Sequence, residues 1–176
     1  MTIILFLMVL LPIVFMVHDF EEVIMFEQWL AAHREELHKR FPKVAVFVEK
    51  QGLFEWRTAT FAVAVAHEFV LLSAVSYISI YTGAYEWWFA GFMAYFLHLL
   101  MHIVQWLVFK RYVPVIITSL ASLPYCGYTL WLFCEQQWLS IGEMCLFTLV
   151  GVIIALLSFP SAFGLARLFR KYVQKY

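Results

Sequence analysis

The sequence predicts an all-α fold: an integral membrane helical bundle of five transmembrane helices, N-terminus out and C-terminus in. Three observations predict it. Of 176 residues, 64% are hydrophobic and only 14% charged, whereas a soluble domain is about half apolar and about a quarter charged. Apolar runs of the length needed to cross a bilayer, about 20 residues, recur near 3–28, 58–81, 86–109, 113–133 and 142–166. All twelve Lys and Arg residues fall in alternate connections between those runs.

The first run, Ile3 to Phe26, shows no signal-peptide cleavage pattern and continues past residue 20, so it reads as a retained helix. It is expected to run on as a polar helix from Glu27 to Arg40 until Pro42 stops it, because proline disfavours helix in the residue before it. Residues 29–57 then form a cytoplasmic polar segment holding Arg34, Lys39, Arg40, Lys43, Lys50 and Arg57. Lys110 and Arg111 separate the third and fourth runs, and Arg167, Arg170, Lys171 and Lys175 follow the fifth. The opposite connections, Tyr81–Glu86 and Glu135–Gly142, carry no Lys or Arg, which fixes the orientation by the positive-inside rule. Trp87, Trp88 and Trp138 near the outer ends and Trp56 near an inner end are expected in aromatic belts. Pro12 and Pro160 are expected to kink their helices. No repeat or linker divides the chain, so residues 1–176 read as one domain.

Within this apolar frame, His18-Asp19-Phe20-Glu21-Glu22 lies in the first span with apolar sequence on both sides. Each acidic group at a helix centre costs about 2.5–3.5 kcal/mol on insertion scales, so something must offset it. The second span adds His67-Glu68, and the third adds His98, His102 and Gln105. Helical rise is about 1.5 Å per residue, and counting from the basic ends brings these groups to one depth, in the inner half of the bilayer. His18 and Glu22 are four residues apart and share a face, with Glu21 beside them; His98 and His102 repeat that spacing. Asp19 and Glu68 point about 100° from their histidine neighbours and read as supporting groups, Glu68 also as a ligand. Glu27, His33 and His38 read as solvated cytoplasmic groups. The fourth and fifth spans hold no His, Asp or Glu in their interiors and read as scaffold, with Ser119, Ser122 and Tyr125 lining a cavity.

Imidazole with carboxylate suits zinc, iron or manganese and needs no thiolate. The groups suffice for one ion with three protein ligands plus a base, or for two ions. The order His18-x-x-Glu21 reverses the Glu-x-x-His of di-metal bundles with the same reach. His67-Glu68 fails the zincin pattern, because position 71 is Leu71. A metal-free network of protonated imidazoles and carboxylates, serving as a proton path, is the alternative. No phosphate-binding loop or nucleophile elbow occurs, and the basic loops serve orientation, not nucleic acid. Cys134 and Cys145 flank an outer connection and either pair there or stay small hydrophobes, as Cys126 does.

His18-Asp19-Phe20-Glu21-Glu22 resembles the signature of the HXXEE family, small bacterial membrane proteins with no assigned reaction. The resemblance extends to the His-Glu pair of the second span and to His102 in the third. The family pattern there resembles Asn-x-x-x-His, and this chain departs from it by placing His98 at the first position. The resemblance implies a multi-pass protein of the bacterial inner membrane and leaves the chemistry unassigned.

The expectation from these residues is an intramembrane metal-dependent hydrolase, zinc first, with iron or manganese as alternatives. His18, Glu22, His67, His102 and His98 would hold metal, and Glu21 or Glu68 would act as general base on metal-bound water. The partners would be the lipid bilayer and a lipid-like or other hydrophobic substrate near the cytoplasmic leaflet, with the oligomeric state left open. A di-iron lipid oxidoreductase, a divalent-metal or proton transporter or sensor, and a b-haem protein using His67 with His98 or His102 are the alternatives.

Overall fold

The computed structural model describes residues 2–175. Seven α-helices follow in order: α1 Ile3–Ala32, α2 Arg34–Arg40, α3 Pro42–Gln51, α4 Thr58–Thr82, α5 Tyr85–Phe109, α6 Ile116–Glu135 and α7 Ile141–Val173. A single 3₁₀ turn, Leu53–Glu55, precedes α4, and among the described residues there is no strand. Five helices, α1, α4, α5, α6 and α7, are long and apolar enough to cross a membrane. In lipid the helix is forced on such segments, since each backbone polar group must find its partner within the segment. α1 and α7 continue through Pro12 and Pro160, and α6 through Pro124.

The polar segment departs from the expected single extension of α1. The chain breaks at His33, whose backbone leaves helical geometry at φ −110° and ψ 12°, and α2 starts afresh. Pro42 starts α3 instead of merely ending its predecessor, standing at the first helical position where its missing N–H costs nothing. Gly52, at φ 71°, supplies the left-handed residue that ends α3. α6 begins at Ile116, three residues later than expected at 113. Lys110 and Val115 both take positive φ, 61° and 68°, and fold the connection back on the bundle, where Trp29 Nε1 donates to the Tyr112 carbonyl at 2.9 Å. α7 runs seven residues past the expected 166 and carries Arg167 and Arg170 to Gln51 and Glu55 of the polar segment.

α1 packs on α4, α4 on α7, and α5 on α7 and α6. α5 and α7 approach most closely at Gly151, where a Cβ would stand 2.1 Å from the Ala90 carbonyl oxygen; small residues permit such approach. Two of the expected belt tryptophans are core residues instead. Trp88 is fully buried, stacked against Phe92 and Phe133, and Trp56 packs edge-on against Phe163. The three cysteines are free, Cys134 and Cys145 exposed and Cys126 buried. α1 and α5 touch at few backbone positions, and the gap between them holds the polar groups.

Candidate metal centre

Three imidazoles meet across the α1–α5 gap. The ring centres of His18 and His98 lie 5.4 Å apart, those of His18 and His102 also 5.4 Å, and those of His98 and His102 4.3 Å. One ring nitrogen from each converges within 4.8 Å of the others. The His98 and His102 Nε2 atoms are 2.9 Å apart. A tetrahedral zinc with bonds of about 2.0–2.1 Å holds its nitrogens about 3.4 Å from one another, so small ring rotations would suffice to seat an ion.

The protonation of this trio follows from its hydrogen bonds. Glu21 Oε2 accepts from the Thr118 backbone N–H at 2.8 Å and from its hydroxyl at 2.7 Å, and Tyr112 Oη donates to Glu21 Oε1 at 2.8 Å. With its proton committed to Glu21, the Thr118 oxygen is left to accept from His18 Nδ1 at 3.4 Å. That leaves His18 Nε2 without a proton. This nitrogen is fully buried and has no hydrogen-bond partner, an arrangement that costs about 1–3 kcal/mol unless something binds there. His102 Nδ1 faces Gln105 Oε1 at 3.0 Å; the amide oxygen only accepts, so His102 also presents an unprotonated Nε2. Orientation of ligating histidines through their other ring nitrogen is a general feature of metal sites.

A second group adjoins the first. Asp19, Glu22 and His98 bring one ligand atom each within 4.8 Å of one another. Asp19 is 3% exposed, and one of its carboxylate oxygens lies 3.8 Å from His18 Nε2. Asp19 therefore faces the site, although its position on the helix suggested a supporting role. No Lys or Arg lies at this level, since those residues stand in the connections and in the terminal turns of α7.

Both groups open on apolar space. A cavity of about 450 Å³ is lined by Asp19, Glu22, Glu68 and His98 together with Phe15, Tyr95 and other apolar side chains of α1, α4, α5 and α7. It follows α5 from Trp87 to Gln105, about 27 Å at 1.5 Å per residue. A second cavity of about 290 Å³, under α2, α3 and the α5–α6 connection, shares Glu22 and Gln105 with the first and adds His102.

Of the residues expected to form the site, His18, Glu22, His98 and His102 come together. His67 falls outside both groups. Its Nε2 lies 3.2 Å from Ser161 Oγ and its Nδ1 3.3 Å from Glu68 Oε1, while Ser158 donates to Glu68 Oε2 at 2.8 Å. Glu68 stays on the cavity wall. Glu21 is committed on both oxygens and caps the start of α6, so α6 is more than scaffold. Burial and donation to Glu21 push the Tyr112 phenol up to about 12. Glu27, expected to be solvated, caps α4 by accepting from the Thr118-like pair at Thr58, its N–H at 2.7 Å and its hydroxyl at 2.9 Å. Thr118 and Thr58 carried no sequence signal beyond their place at the start of a span. Tyr125 donates to the Leu7 carbonyl at 3.0 Å.

Fold and site together define an all-helical protein with five helices long and apolar enough to cross a membrane and an imidazole–carboxylate cluster between them. The chain belongs to the HXXEE family, described as proteins of unknown function with an HXXEE motif, which it matches over residues 9–129. The matched stretch contains His18, Glu21, Glu22, His98, His102 and Thr118, and ends before α7. No curated protein and no solved structure matches the chain.

Proposed function

We propose that this protein is an intramembrane metal-dependent hydrolase, zinc the first choice of metal, acting on a lipid-like substrate. The observation that carries the reading is the buried, unpartnered His18 Nε2 aimed at two further imidazoles beside a long apolar cavity. His18, His98 and His102 would hold the ion. A divalent ion in such a site polarises a carbonyl and lowers the pKa of bound water to about 7.

The chain's own residues do the rest. The cavity takes an acyl or isoprenoid chain along α5, with the hydrolysable bond level with His98, eleven residues and about 16 Å from the Trp87 end. Glu68, on the cavity wall, takes the proton of the attacking water, and its bonds to Ser158 and His67 hold it in place. The bundle sits in a bacterial cell membrane with its basic end in the cytoplasm, so the reacting bond lies toward the inner leaflet.

The test is metal content and esterase activity of the purified protein in nanodiscs. Zinc should co-purify at one or more equivalents, and hydrolysis of p-nitrophenyl palmitate should vanish on chelation and return with zinc. His102→Ala should lose both. Full activity in chelator-treated protein would overturn the reading.

A further inference from the structure

The imidazole trio leaves the adjoining carboxylates unanswered. Among the described residues no hydrogen bond to Asp19 or Glu22 is found, and Asp19 is only 3% exposed. Burying a carboxylate with neither donor nor counter-charge costs several kcal/mol. The other two carboxylates of this level are provided for: Glu21 by Thr118 and Tyr112, Glu68 by Ser158 and His67. An ion held by His18, His98 and His102 would meet only part of the need. At most one N–H of His98 could then face the carboxylate side, against four oxygens on Asp19 and Glu22.

We propose that Asp19, Glu22 and His98 hold a second divalent cation, so that the site is dinuclear. The inference rests on the metal-centre reading above and deepens it. His98 belongs to both convergent groups. One of its ring nitrogens faces His102, and the other would ligate the carboxylate-side ion only after losing its proton to solvent through the cavity, so that His98 would bridge the two ions as an imidazolate. Four carboxylates, Asp19, Glu21, Glu22 and Glu68, lie at one level with no Lys or Arg among them, and each would add a negative charge when ionised. Two divalent ions would offset that charge more fully than one. The second ion stands on the cavity side, since Asp19, Glu22 and His98 all line the larger cavity whereas His18 does not. It takes hard oxygen ligands and therefore suits manganese, iron or zinc with open positions toward the chain in the cavity.

The experiment is equilibrium binding of manganese and of zinc to metal-stripped full-length protein in nanodiscs, counted by mass spectrometry of the metal. Wild type should bind two equivalents. Asp19→Asn with Glu22→Gln, which keeps the side-chain shapes, should bind one. Electron paramagnetic resonance of the manganese-loaded wild type needs no variant, and two nearby ions should give a spin-coupled multiline signal. One equivalent in wild type, unchanged in the double variant and with an isolated six-line signal, would overturn the second ion and leave the first. No equivalent at all would overturn both.

Discussion

The Glu21 carboxylate takes both the backbone N–H and the hydroxyl of Thr118, at 2.8 and 2.7 Å, and so ties the motif on α1 to the first turn of α6. The same hydroxyl oxygen sits 3.4 Å from His18 Nδ1. One residue thus caps a helix and, through Thr118, sets which nitrogen of His18 faces the site.

Two variants separate those roles. Glu21→Ala removes the cap and the Tyr112 partner and should lower stability by about 1–2 kcal/mol, read from thermal unfolding in detergent. Thr118→Val keeps the backbone N–H and should cost less, yet zinc affinity should fall about 10–100-fold, measured by competition with a chelating dye. Unchanged affinity in Thr118→Val would remove the orienting role.

Close helix approach predicts opposite outcomes at two glycines of α7. Gly151→Ala places a methyl 2.1 Å from the Ala90 carbonyl oxygen, backbone that cannot swing away, and should destabilise by about 1–3 kcal/mol. Gly164→Ala meets nothing within 4 Å and should gain about 0.5–1 kcal/mol from helix propensity. Paired melting curves decide it.

The number and placement of the five long apolar helices were legible in the sequence, because apolar runs of that length favour helix wherever backbone groups must pair within the segment. The shared depth of His18, Glu22, His98 and His102 followed from rise per residue. Facing was harder. A span that is apolar nearly all round gives no amphipathic direction, so the inward turn of Asp19 and the turn of His67 toward Ser161 could not be read. The place of Thr118 depends on the folded-back 110–115 connection, set by left-handed Lys110 and Val115, and neither residue type announces that conformation.

The α2–α3 hairpin should respond to pH. The Arg34 carbonyl and Glu49 raise the His38 imidazole above its usual 6.5, and the Arg40 guanidinium holds Glu36 below its usual 4.5. The His38 contribution is complete below pH 6.5 and is lost as pH rises through its raised value. The Glu36 contribution is complete above pH 4.5 and is lost as pH falls through its lowered value. Both therefore act between pH 4.5 and 6.5. Hydrogen-exchange protection over residues 34–51, corrected for the intrinsic rate at each pH, should be highest in that window, and His38→Gln should abolish the alkaline loss alone.

His67 provides a contrast within the motif set. It lies outside both convergent groups, so His67→Ala should keep zinc affinity within about twofold while weakening the hold on Glu68. Catalysis should fall where binding does not. Loss of bound zinc in His67→Ala would instead return it to the ligand set.

The central claim is that three imidazoles from α1 and α5 hold one ion. X-ray absorption at the zinc edge, on protein loaded with a single equivalent, counts them. The account predicts three imidazole nitrogens at about 2.0–2.1 Å in wild type and two in His18→Ala. A first shell of oxygen alone, unchanged by removing His18, would contradict it.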